Sequence, residues 1–309
     1  MSVDILAMGE PMLEFNQLPP QADGRVLFLQ GHGGDTSNAA IAAARQGVSA
    51  GYITAIGQDA AGESFMALWA EEGIDTATVI RSADAPTAVY FVTHDTKGHH
   101  FTFYRAGSAA SRYTPRDVPE AAIRSAKILY ASGISQAISA AAADAVFHAI
   151  AVARKAGVKV AYDTNLRLRL WPPARARAVI DAAISQADMA FPSREDAEVL
   201  TGISDPDGIA DYYLRLGCPL VAVKCGRDGA LLATAEGLRL RAPAHAVNAI
   251  DATGAGDTFC GAFMARTVLG DGPAAALAYA NAAAALSTTG YGAVAPIPRT
   301  KAVRALIGA

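Results

Sequence analysis

Along most of the chain, short apolar runs take turns with longer, alanine-rich segments of helical period, and this alternation restricts the fold more than any other feature. The candidate buried strands are residues 5–8, 49–55, 128–131, 159–162, 189–191 and 220–224. Between them lie candidate helices at 37–46, 63–72, 140–156, 174–185 and 194–200. Strand and helix in regular succession build a mainly parallel sheet covered on both faces, an α/β fold. Gly47, Gly73, Gly157, Gly202 and Gly217 follow helical segments, where a left-handed closing residue is expected. With 309 residues, 52% of them hydrophobic, the chain can bury one large core, or a large domain with a small attachment.

Two stretches break the rhythm. Residues 11–30 carry Pro19, Pro20 and Gly24 among scattered apolar residues. Residues 87–104 alternate through Val89, Phe91 and Thr93, then Phe101 and Phe103, around the turn Asp95-Thr96-Lys97-Gly98, which is a hairpin signal. Both are expected as antiparallel insertions, either a flap over the carboxyl edge of the sheet or surface ribbons without function. The net charge of −3 offers no basic excess for nucleic acid and no acidic tail. Cys218, Cys225 and Cys260 form no C-x-x-C pair and read as buried residues of a reducing compartment. No basic segment with a long apolar stretch opens the chain, and the apolar run near 274–286 is short and interrupted by Tyr279 and Asn281. A cytoplasmic protein without a membrane span is therefore expected.

The most informative segment is Asp251-Ala252-Thr253-Gly254-Ala255-Gly256-Asp257-Thr258-Phe259, followed by an apolar helical pattern. Glycines ahead of a helix let several N–H groups converge, and the helix dipole adds positive potential at the same point, which suits an oxyanion or phosphoryl group. Asp257 would stand in the first turn, where its carboxylate can take the proton of an attacking hydroxyl. The other reading is a glycine turn with an ordinary helix cap. The whole string resembles the signature D-T-x-G-A-G-D-x-F of the ribokinase-like (PfkB) carbohydrate kinases, with Ala252 in place of the usual Thr. Neither a G-x-x-x-x-G-K-[ST] loop nor a complete G-x-G-x-x-G is present.

Further segments extend the resemblance in the expected order. Gly33-Gly34-Asp35-Thr36-Ser37-Asn38 is similar to the family's sugar-binding G-G-x-x-x-N, giving Gly33, Gly34 and Asn38 to substrate. Residues 223–230, with Lys224, Gly226 and Gly229, resemble the strand–turn–strand beside the nucleotide, and Asn281 lies in the counterpart of the helix that walls the adenine. Phe191-Pro192-Ser193-Arg194-Glu195-Asp196 stands where the family has N-x-x-E, which acts on hydrated magnesium. Ser193 replaces Asn and Asp196 replaces Glu, so either Asp196 (through water) or Glu195 would carry that role. The resemblance implies a three-layer α/β/α core, with a small β-sheet lid from about 11–31 and 86–106 inserted in a single kinase domain. It further implies ATP and Mg2+ as cofactors, catalysis by Asp257 with the amides of Gly254, Ala255 and Gly256, and a homodimer through the lid. Relatives use a monovalent cation, for which the loop 288–293 is a possible host.

Two strings speak to the acceptor. Phe103-Tyr104-Arg105-Ala106-Gly107-Ser108-Ala109 and Asp163-Thr164-Asn165-Leu166-Arg167 with Trp171 resemble those of 2-keto-3-deoxygluconate kinases, whose substrate bears a carboxylate. Arg105 and Arg167 would read that carboxylate, since an Arg fork can hold one bidentately. Arg167 is alternatively a partner of nucleotide phosphate, and Asn165 is placed beside the nucleotide. Tyr90 and Tyr104 would supply hydroxyls from the lid. A neutral-sugar kinase of fructokinase or ribokinase type, and a catalytically silent binding regulator, are the competing expectations.

Overall fold

A computed structural model describes residues 2–19, 23–95 and 98–308, the His99 side chain excepted. Pro20 and the expected turn residues Thr96 and Lys97 lie outside the described residues. The strands are β1 (Ile5–Met8), β2 (Met12–Gln17), β3 (Phe28–Gly33), β4 (Ala50–Gly57), β5 (Val79–Ser82), β6 (Ala88–Asp95), β7 (Gly98–Tyr104), β8 (Ile128–Ser132), β9 (Lys159–Asp163), β10 (Met189–Ala190), β11 (Leu220–Lys224), β12 (Ala230–Thr234) and β13 (Arg239–Ala242). The helices are α1 (Asp35–Arg45), α2 (Ala60–Glu71), α3 (Glu120–Ser125), α4 (Gly133–Ala137), α5 (Ala140–Ala156), α6 (Pro173–Ile184), α7 (Arg194–Thr201), α8 (Pro206–Arg215), α9 (Ala255–Val268), α10 (Pro273–Ser287) and α11 (Thr300–Ile307).

The larger sheet has nine strands in the order β13-β12-β11-β10-β9-β8-β1-β4-β5, and its neighbours pair in parallel except around β12. Its strands are buried on both faces, and successive residues feed opposite cores. Leu6, Met8, Leu129 and Val160 pack with α5 and α6 on one side. Ile5, Ala7, Ile128 and Ala161 pack with α1, α9 and α10 on the other. That is why these strands read as unbroken apolar runs, with no alternation. The helix ends follow local chemistry: Ser139 accepts from the Ala142 N–H to cap α5, and Gly157 closes it at φ 76°. At the end of α1, buried Arg45 forks onto Glu72 at 2.6 and 2.9 Å and donates to the carbonyls of Val294 (3.0 Å) and Ile297 (2.5 Å). The C-terminal segment is thereby fastened to the first helix.

The smaller sheet has the order β3-β2-β6-β7. Each stretch forms its own antiparallel pair, but β2 and β6 join them in parallel, with Met12 beside Ala88. This corrects the expectation of purely antiparallel insertions. Local turns dictate only pairing within a stretch, whereas β2 and β6 both leave the carboxyl side of the larger sheet and so run alongside. β5, β12 and β13 escaped the sequence reading because they are short and lie at the sheet edges, where burial is incomplete.

Candidate active site

Glu10, Ser132, Asp163 and Lys224 stand at or just past the carboxyl ends of β1, β8, β9 and β11. Strand β1 lies between β8 and β4, so connections leave it in both directions, and a crevice is expected at such a switch point. Two helix N-termini enter from the same face of the sheet: α1 after Gly33-Gly34 and α9 after Gly254.

Gly254 is the left-handed cap of α9 at φ 74°, and a Cβ there would meet the Ala293 carbonyl at 2.9 Å. The N–H of Ala255 is spent on Ala252 O at 3.2 Å, which removes it from the expected anion-binding set. The N–H groups of Gly254, Gly256 and Asp257 have no acceptor among the described residues. The turn tightens by one residue, so the amides on offer shift to Gly254, Gly256 and Asp257. Lys224 reaches the same turn, its Nζ 3.3 Å from where a Gly256 Cβ would sit.

Asp257 is 9% exposed, and its Oδ2 accepts from Asn38 Nδ2 at 2.8 Å. No other hydrogen bond to it is found among the described residues, so Oδ1 is the oxygen available to take a proton. Burial, then the Asp35 carboxylate, push its pKa up to about 7, against the Asn38 hydrogen bond and Lys224. Asp163 is fully buried and binds Lys224 Nζ at 2.6 Å and Cys260 Sγ at 3.4 Å. Burial works against the Lys224 charge, but Asp163, Cys260 and Asp196 together hold its pKa above the ordinary lysine range.

The other expected residues fall into groups. Gly34 adopts φ 115° at the start of α1, and a Cβ there would lie 2.7 Å from Glu10 O. Gly33 lies under the ring of Tyr90, whose hydroxyl donates to Glu14. Burial, then the Glu14 carboxylate, raise the Tyr90 pKa, so the hydroxyl stays a donor. Tyr104 is not beside it. Tyr90 pairs with Phe103 and Tyr104 with Val89, so the two tyrosines occupy opposite faces of the smaller sheet, and Tyr104 is 62% exposed. Period-2 alternation separates residues an odd number apart across that register. Arg105 is clamped through Nε and NH2 onto Oε2 of fully buried Glu10, whose Oε1 accepts from Ser108. Arg167 is exposed and donates to Leu166 O at 2.8 Å. Asn165 is buried and donates to Asp35 at 2.8 Å, which places it beside α1.

Ser193 caps α7 by accepting from the Asp196 N–H. Asp196 Oδ2 accepts from Thr164 Oγ1 (3.1 Å) and the Leu166 N–H (3.0 Å), while Glu195 is exposed. Asp196 is thus the carboxylate turned toward Lys224 and Asp163. No cluster of three or more metal-ligating side chains occurs among the described residues. That donor set still fits Mg2+ carried on phosphates, which keeps several waters and needs only one or two carboxylates. Gly226 and Gly229 bound the turn between β11 and β12, and Asn281 Nδ2 donates to Pro243 O at 2.7 Å. Beside that contact runs a groove of about 420 Å³, lined by Pro243, Ala244, His245, Leu277, Ala278 and Ile307 among others. In the loop 288–293, Thr288 O is already taken by the N–H groups of Ile250 and Asp251. Glu10, Asp35, Ser132 and Asp163 were not singled out from sequence, because their value arises from partners far away in the chain.

No helix among the described residues is long and apolar enough to cross a membrane. Residues 21–300 match the model of the pfkB family carbohydrate kinases. The 2-dehydro-3-deoxygluconokinase of Bacillus subtilis (strain 168) is 34% identical over 84% of this chain and 81% of its own. Fructokinase-1 of Oryza sativa subsp. japonica is 32% identical over 95% and 94%. The crystal structure of Xylella fastidiosa fructokinase with bound ATP superposes with a TM-score of 0.90 at 26% identity, covering 100% of this chain and 99% of that one.

Proposed function

The chain belongs to the pfkB family of carbohydrate kinases, phosphotransferases that act on an alcohol group, and we propose that it transfers the γ-phosphate of ATP to 2-keto-3-deoxygluconate, giving the 6-phosphate. The observation that carries the chemistry is Asp257, held by Asn38 beside three backbone N–H groups that lack acceptors. Asp257 takes the proton of the attacking hydroxyl through Oδ1. The N–H groups of Gly254, Gly256 and Asp257 and the ammonium of Lys224 stabilise charge on the transferring group. Mg2+ on the ATP phosphates, reached by Asp196 through water, neutralises charge as the phosphoryl group moves. The nucleoside lies toward Asn281, Gly226 and Gly229, and the groove beside Pro243 is of a size that suits a ligand. The smaller sheet acts as a lid that excludes water, with Tyr90 on its inner face.

The acid reading rests on Arg105. Glu10 already claims two of its donors, so Arg105 can offer a carboxylate only its remaining edge. That partial neutralisation favours a second reading, a fructokinase-like enzyme for a neutral sugar. An ADP-release screen across 2-keto-3-deoxygluconate, fructose, ribose and nucleosides decides between them. The keto-deoxy acid should give the highest kcat/KM. In Arg105→Ala the loss for the acid should exceed that for any neutral sugar by about tenfold, the worth of one charged hydrogen bond. Equal losses, or fructose as the preferred acceptor, would overturn the acid reading. ADP release that no acceptor stimulates would favour a silent regulator.

We further propose a homodimer in the cytoplasm, formed through the outer lid face, where Phe15, Phe28, Phe91 and Tyr104 make an aromatic cluster. Phe28 and Tyr104 are exposed there. Sedimentation should give a dimer for the native chain and a monomer for Phe28→Lys. A monomeric native chain at micromolar concentration would refute this.

A further inference from the structure

Helix α1 opens on two acceptor oxygens that nothing in the chain satisfies. Asp35 holds its first position and Asn38 its fourth, so their side chains leave one face of the helix a single turn apart. Both are more than nine-tenths buried, at 7% and 3% exposed. Asp35 Oδ2 is spent, accepting from Ser132 Oγ at 2.5 Å and Asn165 Nδ2 at 2.8 Å. The Asn38 amide group is spent on Asp257. What remains, Asp35 Oδ1 and Asn38 Oδ1, is buried and has no partner among the described residues.

Such an arrangement is costly. A buried acceptor without a donor keeps its full desolvation penalty, and the carboxylates of Glu10, Asp163 and Asp257 all repel Asp35. The two cations at this end of the site cannot relieve it, because Arg105 is claimed by Glu10 and Lys224 by Asp163. The missing donors must therefore belong to a ligand. A phosphate or carboxylate offers only lone pairs and would be repelled, whereas a hydroxyl donates one hydrogen bond and carries no charge. The position beside Asp257 is that of the phosphoryl acceptor.

We propose that Asp35 is a specificity-determining residue which, with Asn38, accepts hydrogen bonds from two hydroxyl groups of the acceptor sugar other than the one that is phosphorylated. This rests on the kinase reading only for the acceptor's identity. It also orients the substrate: the hydroxylated end of the chain lies along α1 and any carboxylate lies away from it, toward Arg105. A site that binds a donor this way rejects analogues lacking it, since the acceptor is then left unpaired.

The test is calorimetric binding of 2-keto-3-deoxygluconate, D-fructose and their monodeoxy derivatives in the presence of a non-hydrolysable ATP analogue. It compares the native protein with Asp35→Asn and Asp35→Ala. The native protein should bind one monodeoxy derivative about 10- to 100-fold more weakly than its parent, the usual range for a hydrogen bond to a charged group. In Asp35→Asn the parent should weaken by a similar factor, and the penalty for removing that hydroxyl should shrink to about threefold or less. A structural role alone would weaken parent and derivative equally and leave the penalty intact, which overturns the proposal. So does a native protein that tolerates every monodeoxy derivative, a result independent of how either variant folds. Turnover measured in parallel reports on transfer itself: hydroxyl discrimination by Asp35 in binding supports this inference even if no phosphate moves.

Discussion

Asp257→Asn should fold, bind ATP with little change and phosphorylate its acceptor about 10²- to 10⁴-fold more slowly, the range expected for loss of a general base. The same variant should be more stable than the native protein at alkaline pH. In the folded chain the Asp257 pKa is raised to about 7 from a reference of 3.8. The native fold therefore favours the protonated form, and this contribution is fully present below about pH 4. It is lost as pH climbs through 7, where the ionised carboxylate sits buried among like charges. A shift of this size corresponds to something on the order of 4 kcal/mol. The amide of Asn can still accept from Asn38, so the variant escapes the penalty without losing that bond. Denaturant melts at pH 8 and pH 4 should show its advantage at pH 8 and its near disappearance at pH 4. The native pH–rate profile gives a companion result: kcat/KM for the acceptor should fall about tenfold per unit below pH 7. Native turnover in Asp257→Asn, or a flat profile between pH 5 and 7, would remove Asp257 from the chemistry.

Lys224→Met should cost about 3–5 kcal/mol of folding stability, because it strands the carboxylate of Asp163 in the core with Cys260 as its remaining charged-side contact. The side chains of this pair are 14% and 1% exposed, so water cannot replace the lost ammonium. Asp163→Asn added to Lys224→Met should recover most of the loss, since the pair is what matters. ATP affinity should not recover, because the double variant still lacks the cation beside Gly256. Urea titration of the single and double variants measures the first effect and KM for ATP the second. A single variant as stable as the native protein would mean that Asp163 is neutral in the fold.

Much of the core was legible because each strand is buried on both sides and each helix is closed by its own glycine. The expected strands 5–8 and 220–224 and the helix 140–156 match β1, β11 and α5 at both ends. Gly47, Gly73, Gly157, Gly202 and Gly217 all have positive φ. These are local decisions, written within a few residues. The phosphate turn was legible for the same reason, although the loss of the Ala255 N–H to a tight turn was not. What sequence hides is partnership across distance. Glu10 reads as an ordinary acid until Arg105 and Ser108 close on it, and Asp35 matters because Ser132 and Asn165 claim one oxygen and leave the other. Tyr90 and Tyr104 look alike in sequence, and only the β6–β7 register parts them.

Asn38 and Asp257 touch across 219 intervening positions, and Arg45 grips the carbonyl of Ile297, 252 positions away. A chain emerging from the ribosome can assemble β1, α1 and the smaller sheet long before it owns a base. Until α9 and the segment beyond it have been synthesised and docked, α1 exposes an apolar flank and an unclaimed acidic cluster. Closing such long loops slows folding and prolongs that exposure. Newly made chains should therefore depend on chaperones late, during the final fifth of synthesis, more than at the start.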